Sequence, residues 1–430
     1  MLSGKKFAIR FLPILFATIM LITAACGGST SPTSSTPASQ AAPASKQNVR
    51  IPIGATDFST LDPALVQSAT DAETIQTIFT GLVSLNDKVQ VVDQLAQSHQ
   101  ISSDGLTYTF TLRPGLKFSD GTPLTSKDVA YSINRTLLPA TKSQVAYYLN
   151  LIKDYDKITT GKITTIIGDS LLTPDDNTLK IIISKPAAYF LNALTYPVTY
   201  PVEQKLITQY GTNWTDHLDL GGGDGPFKVT SYSHNTGVTE VPNPNYYGSP
   251  SKIQKLQFLQ SGDTATTLKA YLNGQFDQSL GIPPSSLATY KTHKDFVSAP
   301  LLVIRYVTMN YLTKPFDNIH IRQAFALATN KDVITTDVLK GSVVPTNHLV
   351  PQGMPGYNTS LKGVQDTGTS GSATMAKQLL QQGLQEEHMT TLPPITYTYY
   401  TDSASVVAVS QALVQMWQTN LGVTVKTQPI

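Results

Sequence analysis

The residue types that carry most protein chemistry are few and dispersed in this sequence. Its 430 residues contain one cysteine, Cys26, and seven histidines. Because a lone cysteine has no partner for a disulfide within the chain, its thiol is left for another covalent modification. None of the histidines forms HExxH or another close spacing of metal ligands. We therefore expect surface or hydrogen-bonded histidines and no metal site.

Motifs that would support hydrolysis or phosphate binding are also incomplete. GTSG (368–371) lacks the G-x-S-x-G spacing of a nucleophile elbow and a preceding strand. GGGDGPFK (221–228) satisfies neither GxxxxGK[ST] nor GxGxxG, and Pro226 lacks the amide that would cradle a phosphate. We expect this stretch to be a tight loop that enters a strand at 227–230. The sequence thus predicts neither an enzyme nor a cofactor.

The residues that precede Cys26 indicate how its thiol is modified. Residues 1–10 carry three positive charges, and residues 11–22 are apolar. This is the pattern of a secretory signal peptide, and its apolar stretch is too short to span about 30 Å of hydrocarbon comfortably. The following TAAC (23–26) resembles the lipobox of bacterial lipoproteins, in which the cysteine sulfur takes a diacylglyceryl group. We predict a signal peptide over 1–25 and a lipid on Cys26; the alternative is an ordinary signal peptide with a chance cysteine.

The segment 26–48 is predicted to be a lipid-bearing, disordered tether. It is rich in Gly, Ser, Thr, Pro and Ala and lacks large apolar side chains, so it cannot offset the entropy of ordering. As a flexible coil its ends would lie roughly 25 Å apart. The folded body would therefore stay close to the outer face of the cytoplasmic membrane.

Net charge excludes one class of partner. The chain carries a formal charge of +2 at pH 7. Such a near-neutral chain has no electrostatic footprint for nucleic acid and no polybasic cluster for an anionic membrane surface. We expect no nucleic-acid partner, and membrane association through the lipid alone.

The clearest local pattern of the body lies in DGLTYTFTLRPGLKFSDGTPLTSKDVAYSINR (104–135). Apolar residues alternate with threonines over 106–112, which predicts a strand with one buried face. Thr125-x-x-Asp128 is a variant capping box that predicts the start of a helix. Further strands are expected at 178–184 and 253–259, and further helices at 71–82, 264–272 and 320–328. The irregular alternation predicts a mixed α/β protein of several lobes.

Five stretches together resemble the large extracytoplasmic solute-binding proteins of peptide and nickel ABC transporters, the oligopeptide- and dipeptide-binding group. Their order and spacing agree over residues 50–430. The stretches are TLDPAL; the segment 104–135; GDGPFKV followed by NPNYYG; DTATTLKAYLNGQFD; and PFDNIHIRQAFALATNKDVI with GMPGY downstream.

The resemblance implies an α/β fold of the periplasmic-binding-protein type, class II. Family members have two lobes joined by a two-stranded hinge, with an additional domain on the first lobe. Lobe I would comprise residues 49–83 and 193–300, the additional domain residues 84–192, and lobe II residues 301–430. Family members usually continue past the point that matches the final VTVKTQPI, which reads as a strand. The resemblance therefore implies that lobe II is incomplete.

The resemblance also implies a ligand and partners. A short peptide would be enclosed between the lobes of a monomer and handed to an ABC permease and its ATPase. The candidate contacts follow the first strand and turn, or lie on the alternating VIRYVTMN (303–310) and in ITYTYYTD (395–402). They are Gln67, Ser68, Ala69, Thr70, Tyr306, Thr308, Asn310, Tyr397, Tyr399 and Tyr400. For each one, the alternative is an ordinary core or surface residue of a strand.

Two other functions remain open from the sequence. A lipid-anchored sensing or signalling protein could use the same fold, because fold alone does not settle function. A nickel-chelate binder is the metal branch of the same family. Scarce Met and Cys and dispersed His give a bare metal site no positive support.

Overall fold

The computed structural model describes most of the chain beyond the tether. The described residues are 47–299, 301–354, 356–401 and 403–430. All of the described residues belong to one compact unit of the chain. The predicted signal peptide, Cys26 and the tether up to residue 46 lie outside the described residues. Within those residues, no helix is both long and apolar enough to cross a membrane.

Strands and helices alternate irregularly along the described chain, as the sequence predicts. The strands are β1 (Asn48–Pro52), β2 (Val83–Leu85), β3 (Val91–Asp93), β4 (Ala96–Ile101), β5 (Thr107–Leu112), β6 (Leu171–Asp175), β7 (Thr178–Ile182), β8 (Phe227–Ser233), β9 (Gly237–Pro242), β10 (Lys255–Leu259), β11 (Ile395–Tyr399) and β12 (Val425–Pro429). The α-helices are α1 (Ala69–Ile78), α2 (Ser126–Leu137), α3 (Tyr155–Thr159), α4 (Phe190–Ala193), α5 (Gln204–Tyr210), α6 (Thr264–Leu272), α7 (Pro284–Tyr290), α8 (Ile319–Leu327), α9 (Lys331–Val333), α10 (Ala373–Glu386) and α11 (Ala404–Leu421).

The first hydrophobic core is built on a four-stranded sheet with the order β1-β10-β9-β8. Strand β1 runs parallel to β10, whereas β9 is antiparallel to both of its neighbours. Leu256 and Phe258 of β10 are both buried, because alternate residues of a strand point to the same face. Helix α1 and the 3₁₀ segment Gly211–Leu220 contact β8 and contribute Phe79 and Trp214 to this core. The predictions of a strand at 253–259 and a helix at 264–272 are confirmed by β10 and α6.

The second hydrophobic core is built on an antiparallel sheet with the order β4-β5-β7-β6. In β5 the side chains of Tyr108, Phe110 and Leu112 are buried, and the intervening threonines are not. The sequence prediction for this strand is therefore confirmed. Helix α2 starts where the capping box places it, since the Thr125 amide donates to Asp128 Oδ2 at 2.8 Å.

The third hydrophobic core contains the parallel pair β11 and β12 together with α8, α10 and α11. The indole of Trp417 donates to the carbonyl of Phe325 and to Thr329 Oγ1, at 3.2 and 3.0 Å. Helix α8 confirms the prediction for 320–328, and β12 confirms the predicted terminal strand. The segment 303–310 forms no strand within the described ranges, although Val307 packs partly against the core.

The glycine-rich stretch 221–228 is the predicted tight loop before β8. A Cβ atom at Gly223 or Gly225 would lie 2.4–2.7 Å from backbone atoms of residues 77–79, at the end of α1. The Gly225 amide donates to the Ile78 carbonyl at 2.8 Å. These glycines therefore allow the loop to approach the helix closely, and they do not form a phosphate site.

A buried ion pair joins the first and second cores. Asp62 accepts from Arg135 of α2 through both carboxylate oxygens, with Arg135 Nη1 at 3.0 Å from Oδ1. Trp214 Nε1 donates to Oδ2 at 3.1 Å, and the Ala64 amide donates to Oδ1 at 3.0 Å. The Asp62 and Arg135 side chains are only 6% and 14% exposed. A buried carboxylate with this many donors is fully compensated, so removing one partner leaves the other uncompensated.

Replacing Asp62 should destabilise the fold strongly. In Asp62→Ala, the buried guanidinium of Arg135 loses its counter-ion, and we expect a loss of about 3–5 kcal/mol in the free energy of unfolding. Urea unfolding followed by circular dichroism measures the change. The control is Lys127→Ala, which breaks an exposed pair with Asp176 (2.8 Å) and should leave the free energy of unfolding close to that of the wild type, because solvent screens exposed pairs. Equal effects of the two variants would contradict the importance given to the buried pair.

Candidate ligand-binding site

The predicted contacts of the first lobe lie at the beginning of α1. Ser68 is the N-cap residue, and its Oγ accepts from the Asp71 amide at 3.0 Å. Gln67 and Ala69 are exposed, and Ser68 and Thr70 are partly buried. Residues 67–70, called the rim of α1 below, therefore form a short and mostly polar turn at the start of the helix that faces solvent.

The backbone immediately before this rim is held firmly. Val66 is completely buried, and its carbonyl accepts from the Tyr196 hydroxyl at 3.1 Å. The Ala64 carbonyl accepts from Ser143 Oγ at 2.5 Å. These bonds, together with the Asp62 ion pair, fix the position of Gln67 relative to both cores.

Three buried carboxyl groups contact α1 or its ends. Asp71 in its first turn accepts from the Ser59 amide at 3.2 Å. Glu240 of β9 accepts from Thr77 Oγ1 at 3.1 Å, and Asp224 accepts from the Thr80 amide at 3.0 Å. One oxygen of each carboxyl group makes no hydrogen bond within the described protein.

Burial changes the ionisation of these groups. Desolvation raises the pKa of Asp71, and it raises the pKa of the fully enclosed Asp224 well above its usual value. The pKa of Glu240 rises from 4.5 to about 8 for the same reason. A protonated carboxyl group at these positions avoids the cost of burying a charge.

A cluster that sequence reasoning missed lies beside the carboxyl end of β1. Asp57 Oδ2 is 2.5 Å from His234 Nδ1 and accepts from the Tyr232 hydroxyl at 3.0 Å. The second ring nitrogen of His234 lies 3.1 Å from Asp216 Oδ1. The hydrogen bond with Asp57 raises the pKa of His234. Asp57 and His234 are 177 residues apart, so no spacing in the sequence could have signalled the pair.

The candidates on 303–310 share one side of an extended segment. Tyr306, Thr308 and Asn310 are exposed, whereas Val307 and Met309 are partly buried against the third core. Asn310 Oδ1 accepts from the Leu312 amide at 3.2 Å, so this side chain already stabilises a turn. The other two candidates, Tyr306 and Thr308, remain accessible to a ligand.

The three tyrosines of ITYTYYTD are not equivalent. Tyr397 and Tyr399 lie on the same face of β11, and their rings stack 5.7 Å apart. Tyr397 also packs edge-on against Trp417 at 5.4 Å, and its hydroxyl lies 3.4 Å from Ser410 Oγ. Tyr400 is 66% exposed. Tyr397 therefore has a clear packing role, and Tyr400 is the most accessible of the three.

The described contacts do not join the two sets of candidates. Among residues 47–299, 301–354, 356–401 and 403–430, no hydrogen bond or ring contact links 67–70 to 306–310 or 397–400. An open cavity of about 470 Å³ lies between residues 307–311 and α8, and a smaller one of about 210 Å³ adjoins Lys331. Neither cavity is lined by any of the ten candidates. In the described part of the chain, no three His, Cys, Asp or Glu side chains are placed to hold a metal ion.

The sheets and cores define a class of protein before any particular relative is considered. A mixed α/β chain with two lobes and an additional domain is typical of a periplasmic-type binding protein. The model of the bacterial extracellular solute-binding proteins, family 5 Middle, matches residues 90–430. The chain belongs to this family.

Individual relatives agree with this assignment. The oligopeptide-binding protein OppA of Bacillus subtilis (strain 168) is 30% identical over 390 residues, which make up 89% of this chain and 70% of that protein. The dipeptide-binding protein DppE of the same organism is 28% identical over 378 residues, or 86% of this chain and 67% of that protein. The structure of the Escherichia coli murein tripeptide binding protein MppA matches with a TM-score of 0.78 at 27% identity, covering 89% of this chain and 74% of that chain.

The raised pKa of Glu240 predicts a pH-dependent effect of Glu240→Gln. Between pH 4.5 and about 8, the unfolded chain loses this proton while the folded chain keeps it, so wild-type stability falls as the pH rises. The substituted amide cannot ionise and keeps an acceptor for Thr77. We expect the variant to match the wild type near the lower limit and to exceed it by a few kcal/mol, on the order of 1.4 kcal/mol per pKa unit, near the upper limit.

Urea unfolding at the two pH limits measures this difference. Asp87→Asn, at an exposed turn, is the control for loss of a carboxyl group. A constant difference between Glu240→Gln and the wild type across this range would contradict the protonated state of Glu240 in the folded chain.

Proposed function

We propose that this chain is the lipid-anchored, substrate-binding component of an ABC importer and that its ligands are short peptides. The observation that carries the proposal is its similarity to an oligopeptide-binding protein over 89% of the chain. The dipeptide-binding and murein-tripeptide-binding relatives support the same class of ligand. The peptide is held without chemical conversion and delivered to a membrane permease and its ATPase.

The binding mechanism needs two surfaces and one ligand. We assign the first and second cores to lobe I and the additional domain, with proposed ranges 49–83 plus 193–300 and 84–192, and the third core to lobe II, 301–430. A ligand that touches both lobes favours the closed arrangement, because only that arrangement makes both sets of contacts. The monomer then presents the permease with a surface that depends on occupancy.

The exposed groups of the candidate site favour broad peptide specificity. Segment 303–310 has exposed residues on one side and no partner strand within the described ranges, so a peptide main chain can pair with it in the manner of an added strand. Main-chain pairing gives affinity independent of sequence, and bridging water fills the space around ligand side chains at little cost.

Calorimetry with the full chain and tri-alanine tests the ligand class. We expect one peptide per molecule, and mass spectrometry should recover the peptide unchanged. Absence of binding to any short peptide, or binding of nickel chelates alone, would overturn the proposal. Cleavage of the peptide would overturn the assignment as a binding protein.

A bulky residue on the rim of α1 should obstruct the ligand. Ala69→Trp places an indole on the exposed first residue of α1, and we expect at least about a tenfold loss of affinity, or about 1.4 kcal/mol. The control is Ala373→Trp: Ala373 is likewise exposed, opens α10, and follows the serine cap Ser372. Equal affinities of the two variants would remove 67–70 from the site.

Attachment to the membrane is proposed to depend on the Cys26 sulfur. Two acyl chains anchor a protein stably, whereas one gives only marginal binding. In cells fed radioactive palmitate, the wild-type chain should carry label and sediment with membranes, and Cys26→Ser should do neither. Ser31→Ala, in the tether, is the matched control. A labelled Cys26→Ser chain would exclude this residue as the attachment point.

A further inference from the structure

Three tyrosine rings form a continuous stack beside the rim of α1. The centroids of Tyr147 and Tyr148 are 4.6 Å apart, and those of Tyr148 and Tyr196 are 4.5 Å apart. Both pairs have an interplanar angle of 24°. Such near-parallel spacing is the offset-stacked arrangement that aromatic pairs favour.

The stack is attached to the backbone that leads into Gln67. Its inner ring, Tyr196, donates to the Val66 carbonyl, and Ser143, four residues before Tyr147, donates to the Ala64 carbonyl. The ring of Tyr147, the outer ring, is therefore two centroid-to-centroid spacings away from the ring of Tyr196, which bonds to this backbone. The inner ring of the stack therefore contacts the residue that directly precedes Gln67.

The outer residue of the stack is open to solvent over more than half of its surface. Tyr147 is 55% exposed, while Tyr148 and Tyr196 are partly buried. A hydrogen bond with the Tyr147 hydroxyl raises the pKa of Tyr148 to about 12. Within the described residues, no ion pair or cation–π contact involves the three rings.

We propose that the open face of Tyr147 is a specificity platform that stacks on an aromatic side chain of the bound peptide. The inference rests on the proposed peptide-binding function and adds a preference to it. An aromatic side chain would become a fourth ring of the stack.

The size of the preference follows from aromatic pair energies. Such pairs contribute about 0.5–1.5 kcal/mol beyond the area that they bury. Since about 1.4 kcal/mol is a factor of ten, a peptide with phenylalanine at the platform should bind roughly three- to tenfold more tightly than its alanine counterpart.

Calorimetry on the full chain with seven tripeptides tests the platform: tri-alanine, three peptides with a single phenylalanine and three with a single lysine. We expect one phenylalanine position to improve affinity by roughly three- to tenfold, and Tyr147→Ala to abolish that improvement while tri-alanine still binds. Tyr147→Phe, which keeps the ring, should retain it. Tyr189→Ala removes another exposed tyrosine (61%) and is the matched control.

The outcomes separate this inference from the function on which it rests. Failure of the wild-type chain to bind any of the seven peptides would overturn the proposed function itself. If peptides bind but the phenylalanine preference survives in Tyr147→Ala, the platform is refuted. A preference for lysine, or an equal loss for all seven peptides in Tyr147→Ala, would also refute it, the latter because it would indicate a purely structural role.

Discussion

The carboxylate of Asp62 is the constraint on which the arrangement around the candidate site depends. Asp62 is the N-cap residue of the 3₁₀ segment Pro63–Leu65. Its carboxylate accepts hydrogen bonds from the guanidinium of Arg135, in the second core, and from the indole of Trp214, in the first. A buried charge with donors from both sides can be satisfied in one geometry only, because any relative shift would leave a donor or an acceptor unpaired. The ion pair thereby fixes the first and second cores relative to each other, just before the beginning of α1.

The positions of several features depend on this buried ion pair. The polar rim at 67–70 begins directly after Val66, whose carbonyl is bound by Tyr196. The tyrosine stack extends outward from the same bond, so rim and stack share one rigid support. In a binding protein this matters, because a ligand gains most when the groups that meet it are already ordered. The rim and the stack are therefore anchored through the same backbone carbonyl, that of Val66.

Local structure could be predicted from the sequence wherever neighbours decide it. The alternation of β5 and the capping box of α2 each involve residues a few positions apart, and each prediction is confirmed. The resemblance to a family supplied the fold class, which the comparisons also support.

Long-range pairs could not be predicted in this way. Asp62 bonds to residues 73 and 152 positions away, and periodicity carries no information about such contacts. The same holds for Tyr196, which meets Tyr148 only in the folded chain. The segment 303–310 shows the converse: its alternation is real as a pattern of burial, yet no partner strand lies beside it in the described ranges.

The buried carboxyl groups around α1 link folding to the uptake of protons from the solvent. Asp71, Asp224 and Glu240 bind protons more tightly in the folded chain than in the unfolded chain. Because the pKa of Glu240 is about 8 in the folded chain, hydrogen ions are reactants in folding around neutral pH, and they are drawn from the surrounding buffer. The heat released on refolding therefore includes the heat of ionisation of that buffer, and acidification of the surroundings drives the reaction by mass action.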